Sequence, residues 1–208
     1  MNHQNRVNVS FILKISLFFI VTGLPGCNTI QLEQPFPANL PGMIYDNYNN
    51  PVAGAEIYLI NNLSEEEKIF SDIDGRFLLT DLPAGEWDIN VSRKNYETVN
   101  IHFNFTDPKQ VLYIKISSIR FYKNQIEAKL KIHAFDEVEN LLNKAKKISP
   151  ADPILLYLSA IYYFLTGSNE EALSEAESIG RQGINSSGLN SFIMSVRAAI
   201  NTAGENEN

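Results

Sequence analysis

The spacing of apolar residues changes once along this chain, near residue 118, and that change limits the fold more than any other feature. Before it, apolar side chains recur at every second position. Trp87, Ile89 and Val91 alternate with Glu86, Asp88, Asn90 and Ser92. Val99, Ile101, Phe103 and Phe105 alternate with Asn100, His102 and Asn104, and Leu112, Ile114 and Ile116 keep the same beat. A period of two places one side of a strand in a core and the other in water, the habit of antiparallel sheets with one wet face. Turn-forming residues separate the runs: Asn49-Asn50-Pro51, Asp74-Gly75, Pro83-Ala84-Gly85 and Thr106-Asp107-Pro108. Residues 39–117 therefore read as a β-sandwich of about seven short strands.

From residue 118 to 203 the period becomes helical. Phe135, Val138, Leu141, Leu142 and Ala145 share one helix face, as do Leu155, Leu158, Tyr162 and Leu165. Pro150 and Pro153 end one helix and start the next, while Gly167 and Gly183 mark further boundaries. The expected fold class is thus two-domain, a β-sandwich plus an all-α set of about four or five helices in antiparallel hairpins. The segment Pro153–Thr166 is apolar nearly all round, so it needs cover on every side. The helix expected at Leu189–Ala203, or the sandwich, is the element to supply that cover. Where cover fails, Tyr157, Ile161 and Phe164 would line a groove for a partner segment. Residues 204–208 are polar and read as a disordered tail.

The N-terminus reads as an export signal over residues 1–26. Arg6 and Lys14 precede the apolar run Ile15–Leu24, which Pro25-Gly26 close. That run is about half the ~20 residues a membrane-spanning helix needs. Leu24, Gly26 and the single cysteine, Cys27, resemble the signal of bacterial lipoproteins, with Pro25 standing where that pattern has a small or β-branched residue. The resemblance implies cleavage before Cys27 and acylation of its thiol, hence a membrane anchor. Asn28 is not the Asp that often marks inner-membrane retention, which points to the outer membrane, facing the periplasm or the cell surface. Residues 27–38, with two prolines and no periodicity, read as a linker.

Two further resemblances lie in the body of the chain. Gly42–Asp46, Asn50–Ile57, Ser71–Phe77, Leu82–Trp87 and Tyr96-Glu97 resemble, in order, the carboxypeptidase regulatory-like domain. That likeness implies a transthyretin-like (prealbumin) sandwich and a non-catalytic module. Asn95 stands where that family often has Gly, and Asn tolerates the left-handed conformation such a turn uses. Farther on, Phe135–Val138, Leu142, Ala145 and Pro150, then Ala160, Tyr163, Gly167, Asn169–Ala172 and Ala176, resemble two tetratricopeptide repeats of ~34 residues. The likeness implies helical hairpins used for protein binding. Ile126 and Lys129 depart from the first repeat's pattern, and Ile184 replaces the closing Pro of the second.

Chemistry-bearing residues are sparse. His102 falls on the polar side of its strand and His133 in a helix link. No Gly-x-Ser-x-Gly, no His-Glu-x-x-His and no clustered His/Cys spacing occurs. Asp72-x-Asp74-Gly75 has the start of a calcium loop without the later ligands, and a hairpin turn explains the same residues. Glu65-Glu66-Glu67 reads as a solvated charge run. The expectation is no enzyme, no metal and no cofactor. With 24 acidic against 17 basic residues the net charge is −7, which argues against nucleic acid as partner. The basic residues concentrate in a middle segment containing Lys123, Lys129, Lys131, Lys144, Lys146 and Lys147, a pattern of solvated helix faces or of contact with anionic lipid. The expected role is a membrane-anchored scaffold or adaptor that holds an unidentified envelope protein. The alternative is a glycan- or peptidoglycan-binding lipoprotein in which Trp87, Tyr45, Tyr48 or Tyr58 stacks on sugar rings.

Overall fold

The computed structural model describes residues 36–60 and 66–206. The expected signal peptide, Cys27, Glu65 and most of the expected linker lie outside these residues. Seven strands come first: β1 (Ala38–Tyr45), β2 (Glu56–Ile60), β3 (Glu66–Phe70), β4 (Arg76–Leu82), β5 (Gly85–Ser92), β6 (Val99–Phe105) and β7 (Leu112–Lys115). They form two sheets, one in the order β4-β1-β7 and one in the order β3-β2-β5-β6. Leu40, Ile44, Leu79 and Ile114 of the first sheet and Ile57, Trp87, Ile89, Val91 and Phe105 of the second bury their side chains between them. The alternation read from the sequence is what makes this sandwich: each strand has one face apolar enough to be taken out of water.

Two features differ from the sequence reading. β7 pairs with β1 in parallel, with Met43 opposite Tyr113, so the first sheet is mixed. Alternation reports which face is buried and is blind to strand direction. The expected linker also ends early: Phe36 packs edge-on against Phe105 with ring centroids 5.1 Å apart, closing one end of the core. One apolar ring between two prolines has no periodicity to betray it.

Glycine is required at two places. Gly42 faces Phe77 across the β1–β4 pair, and a Cβ there would run into that ring. The aromatic ring thus covers the glycine, filling the space its missing side chain leaves. Gly75, at φ +73°, turns the chain between β3 and β4 against the backbone of Ile44 and Val52. Asn95 takes the left-handed conformation at φ +68°, as its residue type allows.

Five helices follow: α1 (Ile119–Lys131), α2 (Phe135–Ile148), α3 (Pro153–Leu165), α4 (Asn169–Arg181) and α5 (Ser187–Asn206). Ser118 caps α1 by accepting from the amide of Phe121 at 3.2 Å, and Asp152 caps α3 by accepting from Ile154 N and Leu155 N at 3.0 Å each. His133, at φ +57°, makes the turn between α1 and α2 that a glycine would ordinarily make. α5 starts before and ends after the span read from the sequence, so Gly204–Asn206 are helical and not part of a tail.

The sandwich and helices belong to one compact unit beginning at Gln34. The amide of Ile119 donates to Asn95 O at 2.8 Å, and Tyr96 forms an isolated bridge with Ser118. The buried Tyr122 hydroxyl donates to the Glu97 carboxylate, and Phe121 meets Tyr48 edge-on. Asn124 Nδ2 donates to the Tyr48 hydroxyl at 2.9 Å.

Candidate interaction surfaces

α3 is apolar on every side because it has neighbours on most sides. Leu155 and Leu158 enter a core with Ile126 of α1 and Val138 and Leu142 of α2. Leu156 and Ala160 enter a second core with Ala176 and Ile179 of α4 and Leu189 of α5. Fully buried Ala160, Ala172 and Ala176 let α3 and α4 approach closely. Of the two elements expected to cover α3, the last helix supplies part of the cover, the ring of Phe192 on α5 meeting Tyr157 and Phe164 edge-on, each at 5.7 Å. α4, not named from the sequence, packs against α3 most extensively.

That contact divides the candidate groove residues. Ile161 is half-buried against the α1–α2 core, and Phe164 is half-buried under Phe192. Tyr157 is the most exposed of the three, at 37%. The open apolar surface lies one turn toward the start of α3. There, Pro153, Ile154, Tyr157, Ile179, Ile184 and Leu189 line a hollow of about 360 Å3 that no charged side chain borders. Ile154 is 58% exposed and Ile184 43% exposed. Neither was singled out from the sequence as a contact residue. Ile184 carried a signal nonetheless, since it stands where the tetratricopeptide pattern that the segment resembles would close with proline.

The residues weighed for chemistry have structural employment. His102 Nδ1 lies 2.9 Å from Asp88 Oδ1 across the exposed face of β5 and β6. His133 sits in its turn, edge-on to Phe135 at 5.6 Å. Asp72 Oδ1 accepts from Asp74 N at 2.9 Å and from Arg76 N at 2.8 Å, so the Asp72–Gly75 segment is a side-chain-braced turn. Among the described residues no group of three or more His, Cys, Asp or Glu side chains is placed to hold a metal. Nor is any described helix long and apolar enough to cross a membrane.

Trp87 is 6% exposed and its Nε1 donates to Pro83 O at 3.2 Å, so it is core and offers no platform for a sugar ring. The tyrosines weighed with it carry cations over their rings: Lys115 over Tyr45 at 5.5 Å, Arg120 over Tyr48 at 5.0 Å and Lys68 over Tyr58 at 5.0 Å.

Comparison with known proteins agrees with the sandwich. The family model of the carboxypeptidase regulatory-like domain matches residues 39–116. No curated protein matches the chain significantly. Among solved structures, the Bacillus anthracis TIE protein is 16% identical, with 39% of this chain and 16% of that chain covered and a TM-score of 0.35. A streptococcal ancillary pilin is 20% identical over 39% of this chain and 29% of that one, with a TM-score of 0.33. Catechol 1,2-dioxygenase from Pseudomonas arvilla C-1 is 11% identical over 39% of this chain and 52% of that one, with a TM-score of 0.32. The chain thus spans about half or less of each of these proteins. Residues 39–116 are a carboxypeptidase regulatory-like domain, and a helical region follows it to the C-terminus.

Proposed function

We propose that this chain is a lipid-anchored, non-catalytic scaffold of the bacterial cell envelope, in which the sandwich is a rigid spacer and the helices hold a protein partner. The observation that carries the reading is the uncharged apolar hollow at the start of α3, bordered by the exposed Ile154, Tyr157 and Ile184. Exposed apolar surface that no element of the fold covers costs free energy in water, and a partner's apolar side chains would remove it. Two hairpins and a closing helix resemble tetratricopeptide units, whose surfaces serve this purpose. The lipoprotein-like residues Leu24, Gly26 and Cys27 supply the reason for an envelope location.

Two measurements test it. Intact-mass analysis of native protein is expected to find a first residue Cys27 bearing acyl chains, and a mature protein starting elsewhere would remove the anchor. Affinity capture from detergent-solubilised membranes is expected to recover a stoichiometric protein with the wild type. The surface pair Ile154→Ser and Ile184→Ser should lose it while keeping its helical circular dichroism. Undiminished recovery by the pair would end the case for the hollow.

A further inference from the structure

At the junction of sandwich and helices the charge of the molecule is reversed. Two adjoining clefts, of about 590 and 660 Å3, share the turn formed by Arg93–Tyr96. One is bordered by Arg93, Lys94 and Arg120, the other by Arg93, Lys94, Lys144 and Lys147. The last two stand near the end of α2, beyond the reach of the acidic first turn of that helix.

Five cations and two carboxylates, Asp46 and Glu97, border the clefts, and both carboxylates accept hydrogen bonds from neighbouring groups. Asp46 accepts from Tyr48 N at 2.8 Å, Asn50 N at 2.9 Å and Asn50 Nδ2 at 3.3 Å. Glu97 accepts from the Tyr122 hydroxyl and, at 3.3 Å, from Ser117 N. Arg93 donates to Gly54 O at 3.0 Å and Arg120 lies over the Tyr48 ring, so the arginines are held in place while each remains charged. Among the described residues Lys94, Lys144 and Lys147 have no ion-pair partner, although Lys68, Lys123, Lys129, Lys131 and Lys146 each have one. A chain of net charge −7 therefore brings three of its lysines without an ion pair together with two arginines along one seam, while Lys109 and Lys115, likewise without an ion pair among the described residues, border neither cleft.

We propose that this seam rests on the phosphodiester headgroups of an anionic bilayer and sets which face of the protein looks at the membrane. The cations are spread along two open clefts, the arginines held in place and the lysines on flexible stems. That arrangement suits a field of phosphates better than a single bound phosphate group. An acidic molecule near an anionic surface is repelled in every orientation but the one that presents its basic face. The inference uses the membrane location of the proposed function but not the anchor.

The test separates the two. The full chain carrying Cys27→Ser, which accepts no acyl group, is sedimented with vesicles of equal parts phosphatidylglycerol and phosphatidylcholine, and with vesicles of phosphatidylcholine alone. Binding is expected to depend on phosphatidylglycerol and to weaken with salt. The seam variant Lys94→Gln with Lys147→Gln should bind about tenfold or more weakly. The control Lys109→Gln with Lys131→Gln, which removes the same charge elsewhere, should bind as before. An equal fall in the control, or equal binding to both vesicle types, overturns the proposal. So does displacement from vesicles by millimolar glycerol 3-phosphate that binds the free protein, since the ligand would then be a soluble phosphate ester. Failure of this test leaves the intact-mass result for Cys27 untouched, and the converse also holds.

Discussion

Single residues show where burial and polarity conflict in this fold. Ser159 is fully buried in α3, and its hydroxyl has no partner among the described residues. Its neighbours Leu158 and Ala160 are buried too, so water has no evident route to it. An unsatisfied buried hydroxyl costs about 1–3 kcal/mol, and alanine is the better helix former. Ser159→Ala should therefore raise the unfolding free energy by about 1 kcal/mol, seen as a higher denaturant midpoint at unchanged slope. A destabilised variant would mean the hydroxyl has a partner that the geometry conceals. The groove candidates teach the same lesson about burial. Tyr157, Ile161 and Phe164 are alike in sequence, yet Ile161 turns to the α1–α2 core, while Tyr157 and Phe164 both meet Phe192, from a helix some thirty residues away, and Tyr157 stays the most exposed of the three. Ile154 and Ile184 are exposed for the complementary reason that nothing arrives over them.

Among the elements, α3 is the one on which the helical part depends, and its start is fastened by Asp152. Burial alone would raise the Asp152 pKa, but the amides of Leu155 and Ile154 and the Lys123 ammonium at 3.0 Å hold it below the usual 3.8. A carboxylate whose folded pKa is depressed stabilises the fold fully above its unfolded value. That contribution shrinks as pH falls below about 3.8 and is gone once pH passes the folded value. Asp152→Ala should cost about 1–2 kcal/mol at neutral pH through loss of the cap and of the tie to α1. Asp152→Asn keeps a capping oxygen, so it should cost less and should flatten the acid limb of a stability-against-pH curve. If both variants lose stability equally, the Lys123 pair and not the cap is the fastening. That α3 is a helix, and that it must be buried, was plain from its composition. Which helices bury it was not, because an all-round apolar surface has no preferred direction.

At the scale of the molecule the question is whether sandwich and helices unfold together. Tyr122 of α1 is buried at the seam, where its hydroxyl donates to Glu97. Burial first, then that hydrogen bond, pushes its pKa up to about 12 from the usual 10. A group whose folded pKa is raised stabilises the fold fully below its unfolded value, here 10, and the contribution is lost as pH rises through about 12. Tyr122→Phe should remove about 2 kcal/mol at pH 8, since hydrogen bonds to charged groups are the stronger kind. It should also lose less stability than the wild type between pH 10 and 12. The single tryptophan, Trp87, reports on the sandwich, and circular dichroism at the helix band reports on the helices. The two probes should give coincident denaturant transitions in the wild type, because hydrogen bonds and rings cross the seam. Separate transitions would show two independently stable halves.

Periodicity and turn chemistry were enough to establish that strands precede helices, where the change falls, and which faces are apolar. These are local properties, readable over a few residues. Register and long-range company belong to the tertiary structure. It made β7 parallel to β1, brought Phe36 into the core and placed Phe192 over Tyr157 and Phe164. It also gathered Arg93, Lys94, Arg120, Lys144 and Lys147 from three separate stretches into one seam. The physical reason is common to all four: alternation states that a side chain avoids water, or a charge that it seeks it, and neither states which distant residue will stand beside it.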